Sequence, residues 1–325
     1  MTLLPHVRGT CHTALALLAL TPALALSQQP AAPQPSPTDL YTFQLHVDMV
    51  LLSATVLDRH NDLVSGLAIQ NFELREDGIP QQIKNFSHED IPVTVGILVD
   101  NSSSMASKRA DVITAAVSFA SSSNPQDQIF VVNFNDHVTF ALPSGTPFTD
   151  SPGILLHALS SIRAIGQTSL YDSIAAALEH LQRGTSDKKV LILITDGGDT
   201  ASKHTLAQVI AMARQSSAAI YAIGIFDSDD PDQNPSVLKR FARITGGQAF
   251  FPDSSRDIPA ICLGIARDIR NQYTLAYNPS SPPEPGRYHT LSVTAAAPGR
   301  GHLSVRTRAG YTVPANPPPP APARP

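Results

Sequence analysis

Five oxygen-bearing side chains in this 325-residue chain sit where an apolar run meets the stretch beside it, and their types could hold a cation. Asp100, Ser102 and Ser104 lie in Asp100-Asn101-Ser102-Ser103-Ser104, directly at the end of VTVGILVD. Thr168 lies in Gly166-Gln167-Thr168-Ser169, just before an amphipathic stretch, and Asp196 lies in Thr195-Asp196-Gly197-Gly198-Asp199, at the end of KVLILIT. Each alone has an ordinary explanation: Ser after Asp caps helices, Thr168 suits an N-cap, and Asp-Gly is a common turn. If the three segments meet, they offer only hydroxyl and carboxylate oxygens. Those donors suit hard divalent ions, Mg²⁺ (or Ca²⁺ or Mn²⁺), rather than zinc. The 11 histidines are scattered, with no pair at metal-ligand spacing.

Whether the segments meet depends on the elements that carry them. The runs VTVGILVD (93–100), QIFVVNFND (128–136), KVLILITDG (189–197) and AAIYAIGIF (218–226) are continuously apolar, as strands buried on both faces of a parallel sheet are. Between them, Ile113, Ala116, Val117 and Ala120 share one helical face, as do Leu206, Val209, Ile210 and Ala213. Further helices are predicted near 154–162, 170–181 and 236–244. This alternation predicts an α/β fold with a doubly wound, mostly parallel sheet. All three oxygen-rich segments then fall at the carboxyl edge of that sheet, where such folds bind ligands.

The flanks follow a different period. Residues 41–57 begin with alternation at Phe43, Leu45, Val47 and Met49, and residues 72–86 read as a hairpin with Asp77-Gly78 at its turn. After a helix carrying Ile258, Ile261, Cys262, Ile265 and Ile269 come YTLAYNP (273–279), HTLSVTAAA (289–297) and HLSVRTRAGYTV (302–313). Two or three strands are marginal alone, so the N- and C-terminal strands are expected to pair into one small flanking β-sandwich interrupted by the α/β domain. The short link Arg270-Asn271-Gln272 would let movement of the preceding helix be felt by the β region.

Composition sets further bounds. The net charge is −4 without a basic run, which disfavours nucleic acid as a partner. Residues 1–27 combine Arg8, an apolar run from Thr13 to Leu26, and small residues Ala23, Ala25 and Ser27, the pattern of a cleaved export signal. The chain is therefore expected to be exported, to the periplasm or the cell surface or as a secreted protein, with no stable membrane insertion after cleavage. Cleavage would remove Cys11 and leave Cys262 as a buried, inert thiol. Prolines cluster in a linker, 28–39, and a tail, 314–325. The expected organisation is signal peptide 1–27, linker 28–39, N-terminal β region 40–90, α/β domain 91–256, C-terminal helix and β region 257–313, and tail 314–325.

Taken together and in this order, the three segments resemble the metal-ion-dependent adhesion site of von Willebrand factor type A domains, a resemblance that spans roughly residues 92–256. Asp100, Ser102 and Ser104 match the Asp-x-Ser-x-Ser loop, Thr168 the second loop and Asp196 the third. The flanking strands and export signal are also similar to exported bacterial von Willebrand factor A-related proteins, described in acidobacteria. The resemblance implies a metal centre in which Ser and Thr touch the ion, Asp residues hold it through water, and an open position takes a carboxylate from a protein or matrix partner. It implies an adhesion module and no enzyme. One alternative is an envelope scaffold in which the metal is only structural. A less favoured one is a metal-dependent hydrolase, since no Gly-x-Ser-x-Gly elbow, phosphate-cradling Gly loop or His-Glu zinc motif is present. Asp199, outside the five-residue pattern, is expected to orient its loop or cap the following helix.

Overall fold

The computed structural model describes residues 49–315, apart from 162, 227–232 and 283. The expected signal, the linker, residues 41–48 of the first flanking segment and the tail from 316 onward lie outside the described residues.

The N-terminal flank contributes β1 (Val50–Leu57), β2 (Phe72–Glu76), β3 (Ile79–Gln81) and β4 (Ile83–Ser87). The α/β segment follows as β5 (Val93–Asp100), α1 (Arg109–Ser121), β6 (Gln128–Phe134), β7 (Val138–Phe140), α2 (Pro152–Ser160), α3 (Leu170–Leu181), β8 (Lys188–Thr195), α4 (Leu206–Gln215), β9 (Ala219–Gly224), α5 (Pro235–Thr245), β10 (Ala249–Phe250) and α6 (Ile258–Arg270). The C-terminal flank adds β11 (Tyr273–Tyr277), β12 (Tyr288–Ala295), β13 (Ser304–Arg306) and β14 (Gly310–Thr312).

The central sheet runs β10-β9-β8-β5-β6-β7, parallel throughout except for the antiparallel edge strand β7. The four apolar runs are its middle strands because both faces are covered. Val93, Val95, Ile97 and Val99 pack with α1, α2 and α6, while Leu98, Leu191 and Leu193 pack with α3, α4 and α5. From β5 the chain winds first to β6 and later to β8 on the other side, so the order reverses between β5 and β8. That reversal opens a crevice at their carboxyl ends.

One helical face differs from expectation. The buried stripe of α1 is Val112, Ala115, Ala116, Phe119 and Ala120, with Ile113 and Val117 only partly covered, because α6 and α2 both lie against this helix. In the stripe of α6, Ile258, Cys262, Ile265 and Ile269 are buried as expected while Ile261 is only partly covered, and burial pushes the Cys262 thiol up to about 12.

The two flanks interleave. One antiparallel sheet is ordered β13-β1-β11-β4 and the other β14-β12-β2-β3, so each mixes strands from both ends of the chain. Leu52, Ala54, Val56, Phe72, Leu74, Tyr273, Leu275, Tyr277, Leu291 and Val293 form the core between them. The hairpin expected over 72–86 extends only to Gln81, since β4 leaves to pair with β11 in the other sheet; β2–β3 turns at Asp77 (φ 49°) and Gly78 (φ 81°), the positive pair that a two-residue loop favours. The segment 302–313, read from sequence as one stretch, divides: β13 pairs with β1 in one sheet and β14 with β12 in the other. The switch between sheets is held by the α/β domain. Ala309 N–H donates to Ile244 O (3.3 Å) and Arg308 donates to Arg214 O (2.9 Å). Gly246, the left-handed cap of α5, lies so close that a Cβ there would stand 2.5 Å from Arg308 N.

The end of α6 is pinned as well. Asp268 accepts from Thr55 Oγ1 (2.8 Å), from Tyr221 OH (2.6 Å) and from Arg306, joining α6 to β1, β9 and β13. Lys188 Nζ donates to Ile269 O (2.9 Å), and Arg270 pairs with Asp127 (2.6 Å). Displacing this helix would break a largely buried polar network.

Candidate metal centre

Because β5 and β8 are adjacent and parallel, Asp100 and Asp196 leave the sheet side by side at the topological reversal. The buried Asp100 accepts from Thr195 Oγ1 (2.6 Å) at Oδ2 and from Ser102 N–H (2.8 Å) at Oδ1. The chain then makes a 3₁₀ turn over Ser103–Ser107. This turn places Ser102 Oγ and Ser104 Oγ 3.2 Å apart, and Ser104 Oγ donates to Asp196 Oδ1 at 2.9 Å.

Thr168 arrives on the loop before α3. That loop is anchored to the first by Gly166, whose carbonyl accepts from Ser103 N–H at 3.2 Å. Gly166 has φ 84°, and a Cβ there would collide with Asp136, whose carboxylate accepts from Gln167 N–H at 3.1 Å. The Thr168 hydroxyl lies 4.0 Å from the point where a Cβ on Gly197 would be, next to the Asp196 loop. The structure thus brings Asp100, Ser102, Ser104, Thr168 and Asp196 together at one end of the sheet.

Helix capping does not explain these hydroxyls. Ser102 heads the 3₁₀ turn without a side-chain cap, and the residue preceding α3 is Ser169, which also makes none. The N-terminus of α3 is served from another loop, by Asp199 Oδ1 accepting from Tyr171 N–H at 3.0 Å. Asp199 therefore caps α3, which precedes it in sequence, and not the following helix. Helix α4 has its own capping box, in which Thr205 N–H donates to Gln208 Oε1 (2.8 Å). Thr168 is instead fixed through its backbone: its N–H donates to Thr200 Oγ1 (3.0 Å), and its carbonyl accepts from Thr200 N–H (2.9 Å) and Ala201 N–H (3.0 Å). The Thr168 hydroxyl has no hydrogen-bond partner among the described residues, and the buried Ser169 Oγ also lacks one.

The electrostatics of the centre favour a cation. Burial pushes the Asp100 carboxyl up to about 6, and the negative charge of Asp196 adds to the rise, while the bonds from Thr195 and Ser102 oppose it. A positive ion between the two carboxylates would relieve that strain. Among the described residues no group of three or more His, Cys, Asp or Glu is placed to hold a metal, so a cation here depends on the hydroxyls as much as on the carboxylates. Two carboxylates and three hydroxyls, with one hydroxyl unspent, are a donor set that fits a hard divalent ion retaining some of its water.

Sequence reasoning missed three contributors. Thr195, read only as the residue before Asp196, fixes Asp100. Asn101 braces the loop from below, donating to Asn133 Oδ1 (2.9 Å) and accepting from Arg109. Most consequential is Lys108, whose ammonium donates to Asp196 Oδ2 (2.9 Å) and to Ile225 O (3.0 Å) with its side chain almost wholly buried. A signal for it existed. A lysine directly before a helix opposes the positive end of the helix dipole, so it needs a reason to be there.

The family model for the von Willebrand factor type A domain matches residues 94–262, more than half of the chain. The chain belongs to the von Willebrand factor type A domain family. A von Willebrand factor type A structure from Catenulispora acidiphila aligns with TM-score 0.50 and 14% identity, over 83% of this chain and 76% of that one. Proximal thread matrix protein 1 from the mussel byssus, in a structure with a zinc-occupied MIDAS motif, aligns with TM-score 0.47 and 17% identity over 60% of this chain and 49% of that one. The vWF domain of a type V pili tip protein from Porphyromonas gingivalis aligns with TM-score 0.45 and 15% identity, over 55% of this chain and 95% of that one. No curated protein matches the chain.

Proposed function

We propose that this chain is a non-enzymatic binding module that holds a divalent cation, Mg²⁺ or alternatively Ca²⁺ or Mn²⁺, at Asp100, Ser102, Ser104, Thr168 and Asp196. With it the chain would capture a carboxylate of a protein or matrix partner. The observation that carries the reading is the convergence of three loops whose hydroxyls are not spent on capping, with Ser102, Ser104 and Asp196 linked at 3.2 and 2.9 Å. When bound, the ion supplies an electron-poor centre with room for one outside carboxylate. The chain's own residues do the rest. Ser102, Ser104 and Thr168 present neutral oxygens, which leave positive charge unquenched. Asp100 and Asp196 offset the positive end of α1, which begins beside them. Thr195, Gly166 and Thr200 keep the three loops in register.

The pattern of residues 1–27 supports export, to the periplasm or the cell surface or as a secreted protein. No helix among the described residues is long and apolar enough to cross a membrane. The expected division of the chain, with strands of 40–90 and 257–313 forming one module around 91–256, is part of the same proposal, except that α6, placed with the C-terminal region from sequence, packs in the α/β core through Ile258, Cys262, Ile265 and Ile269.

Capture of partners from the native envelope fraction tests the reading, comparing wild-type protein with the Ser102→Ala/Ser104→Ala double variant, with and without EDTA. Partner recovery should be lost in the variant and in EDTA while both proteins stay folded. Recovery indifferent to chelator and to the double substitution would overturn it.

A further inference from the structure

We propose that Lys108 is a built-in counter-cation of the metal centre, one that weakens its hold on divalent ions and keeps the three loops closed when none is bound. The proposal rests on the metal-binding reading above but concerns a residue outside the five-residue pattern. Asp196 is shared: Oδ1 takes the hydroxyl of Ser104, one of the expected ligands, while Oδ2 takes the ammonium of Lys108. The same ammonium reaches Ile225 O, just past β9, so one side chain ties the start of α1 to the ends of β8 and β9.

Helix stability does not account for this arrangement. Lys108 precedes Arg109, the first residue of α1, where a positive charge faces the positive end of the dipole. Burying an ammonium also costs solvation that only a close partner restores. Asp196 is one such partner, and the pair is almost fully shielded from water. The charge balance then sets the affinity. Removing the ammonium makes the centre one unit more negative, which favours a dication. Lys108 therefore trades tight metal binding for a centre one charge more positive toward an incoming carboxylate. It also satisfies Asp196 when no metal is present, so chelation should not open the loops.

Calorimetric titration of MnCl₂ and MgCl₂ into wild type, Lys108→Met, Lys108→Gln and Lys108→Arg, with thermal melts in EDTA and in excess metal, tests this. Both neutral variants should bind Mn²⁺ at least about tenfold more tightly than wild type, since an opposing charge a few ångströms away is removed. Lys108→Arg should stay close to wild type. The melting temperature of wild type should change little with EDTA, whereas Lys108→Met should melt much lower in EDTA and recover with metal. A Met variant that folds only with metal present also supports the proposal, and Lys108→Gln then supplies the affinity. Equal or weaker metal binding by folded neutral variants would overturn the role of Lys108 while leaving the metal reading intact. If neither wild type nor the neutral variants bind metal, the metal reading fails and this proposal with it. If only the neutral variants bind, Lys108 plugs the site and the native chain does not capture partners through a metal.

Discussion

In protein stripped of metal, acidification should relieve Asp100. Its carboxyl stands at about 6 in the folded chain against an ordinary 3.8, chiefly through burial and further through Asp196. At about 1.4 kcal/mol per pH unit, that difference corresponds to about 3 kcal/mol. The sign follows from proton binding. Between 3.8 and about 6 the folded state holds this proton and the unfolded chain releases it, so stability is lost as pH rises through that window. Asp58, Asp77 and Asp172 have lowered values and oppose the trend, so the total stability curve does not isolate the effect. Comparison with Asp100→Asn does, because the other groups cancel. In urea unfolding with EDTA, wild type should gain about 2 to 3 kcal/mol relative to the variant between about pH 7 and about pH 4. Excess Mg²⁺ should shrink that gain, since a nearby cation favours the ionised carboxylate. A difference between wild type and Asp100→Asn that stays flat with pH in EDTA would refute the placement of Asp100 in a dry site beside a second negative charge.

Three further outcomes are expected. Gly246→Ala should destabilise the fold by roughly 3 kcal/mol in denaturant unfolding, since Ala must adopt φ 84° with its Cβ against the backbone of Arg308. Asp268→Ala should cost about 3 kcal/mol by leaving Thr55, Tyr221 and Arg306 without their shared acceptor, and hydrogen exchange should quicken across the end of α6 and in β13. Cys262, with its thiol pushed up to about 12 by burial, should resist alkylation at neutral pH in native protein and react at once in denaturant.

Much of this protein was legible in its sequence because the signals were local. A strand covered on both faces must be apolar at every position, so β5, β6, β8 and β9 declared themselves, and with them the sheet edge at which Asp100 and Asp196 emerge. The hairpin at Asp77-Gly78 was readable because a two-residue loop needs positive φ at both positions. Family resemblance then pointed to five residues as a set, which spacing alone did not do.

What the sequence could not disclose was set by long-range contacts. The face that α1 buries depends on where α6 and α2 lie, and no periodicity within α1 contains that information. The stretch 302–313 divides between two sheets because α5 and α4 hold Arg308 and Ala309 at the crossing, a constraint from residues far away in the chain. Asp199 caps α3 instead of α4 because folding brings its loop back over an earlier helix. Residue types and local order were enough to say that a cation could be held. Only the tertiary structure brought an ammonium, 88 residues away in sequence, onto the same carboxylate.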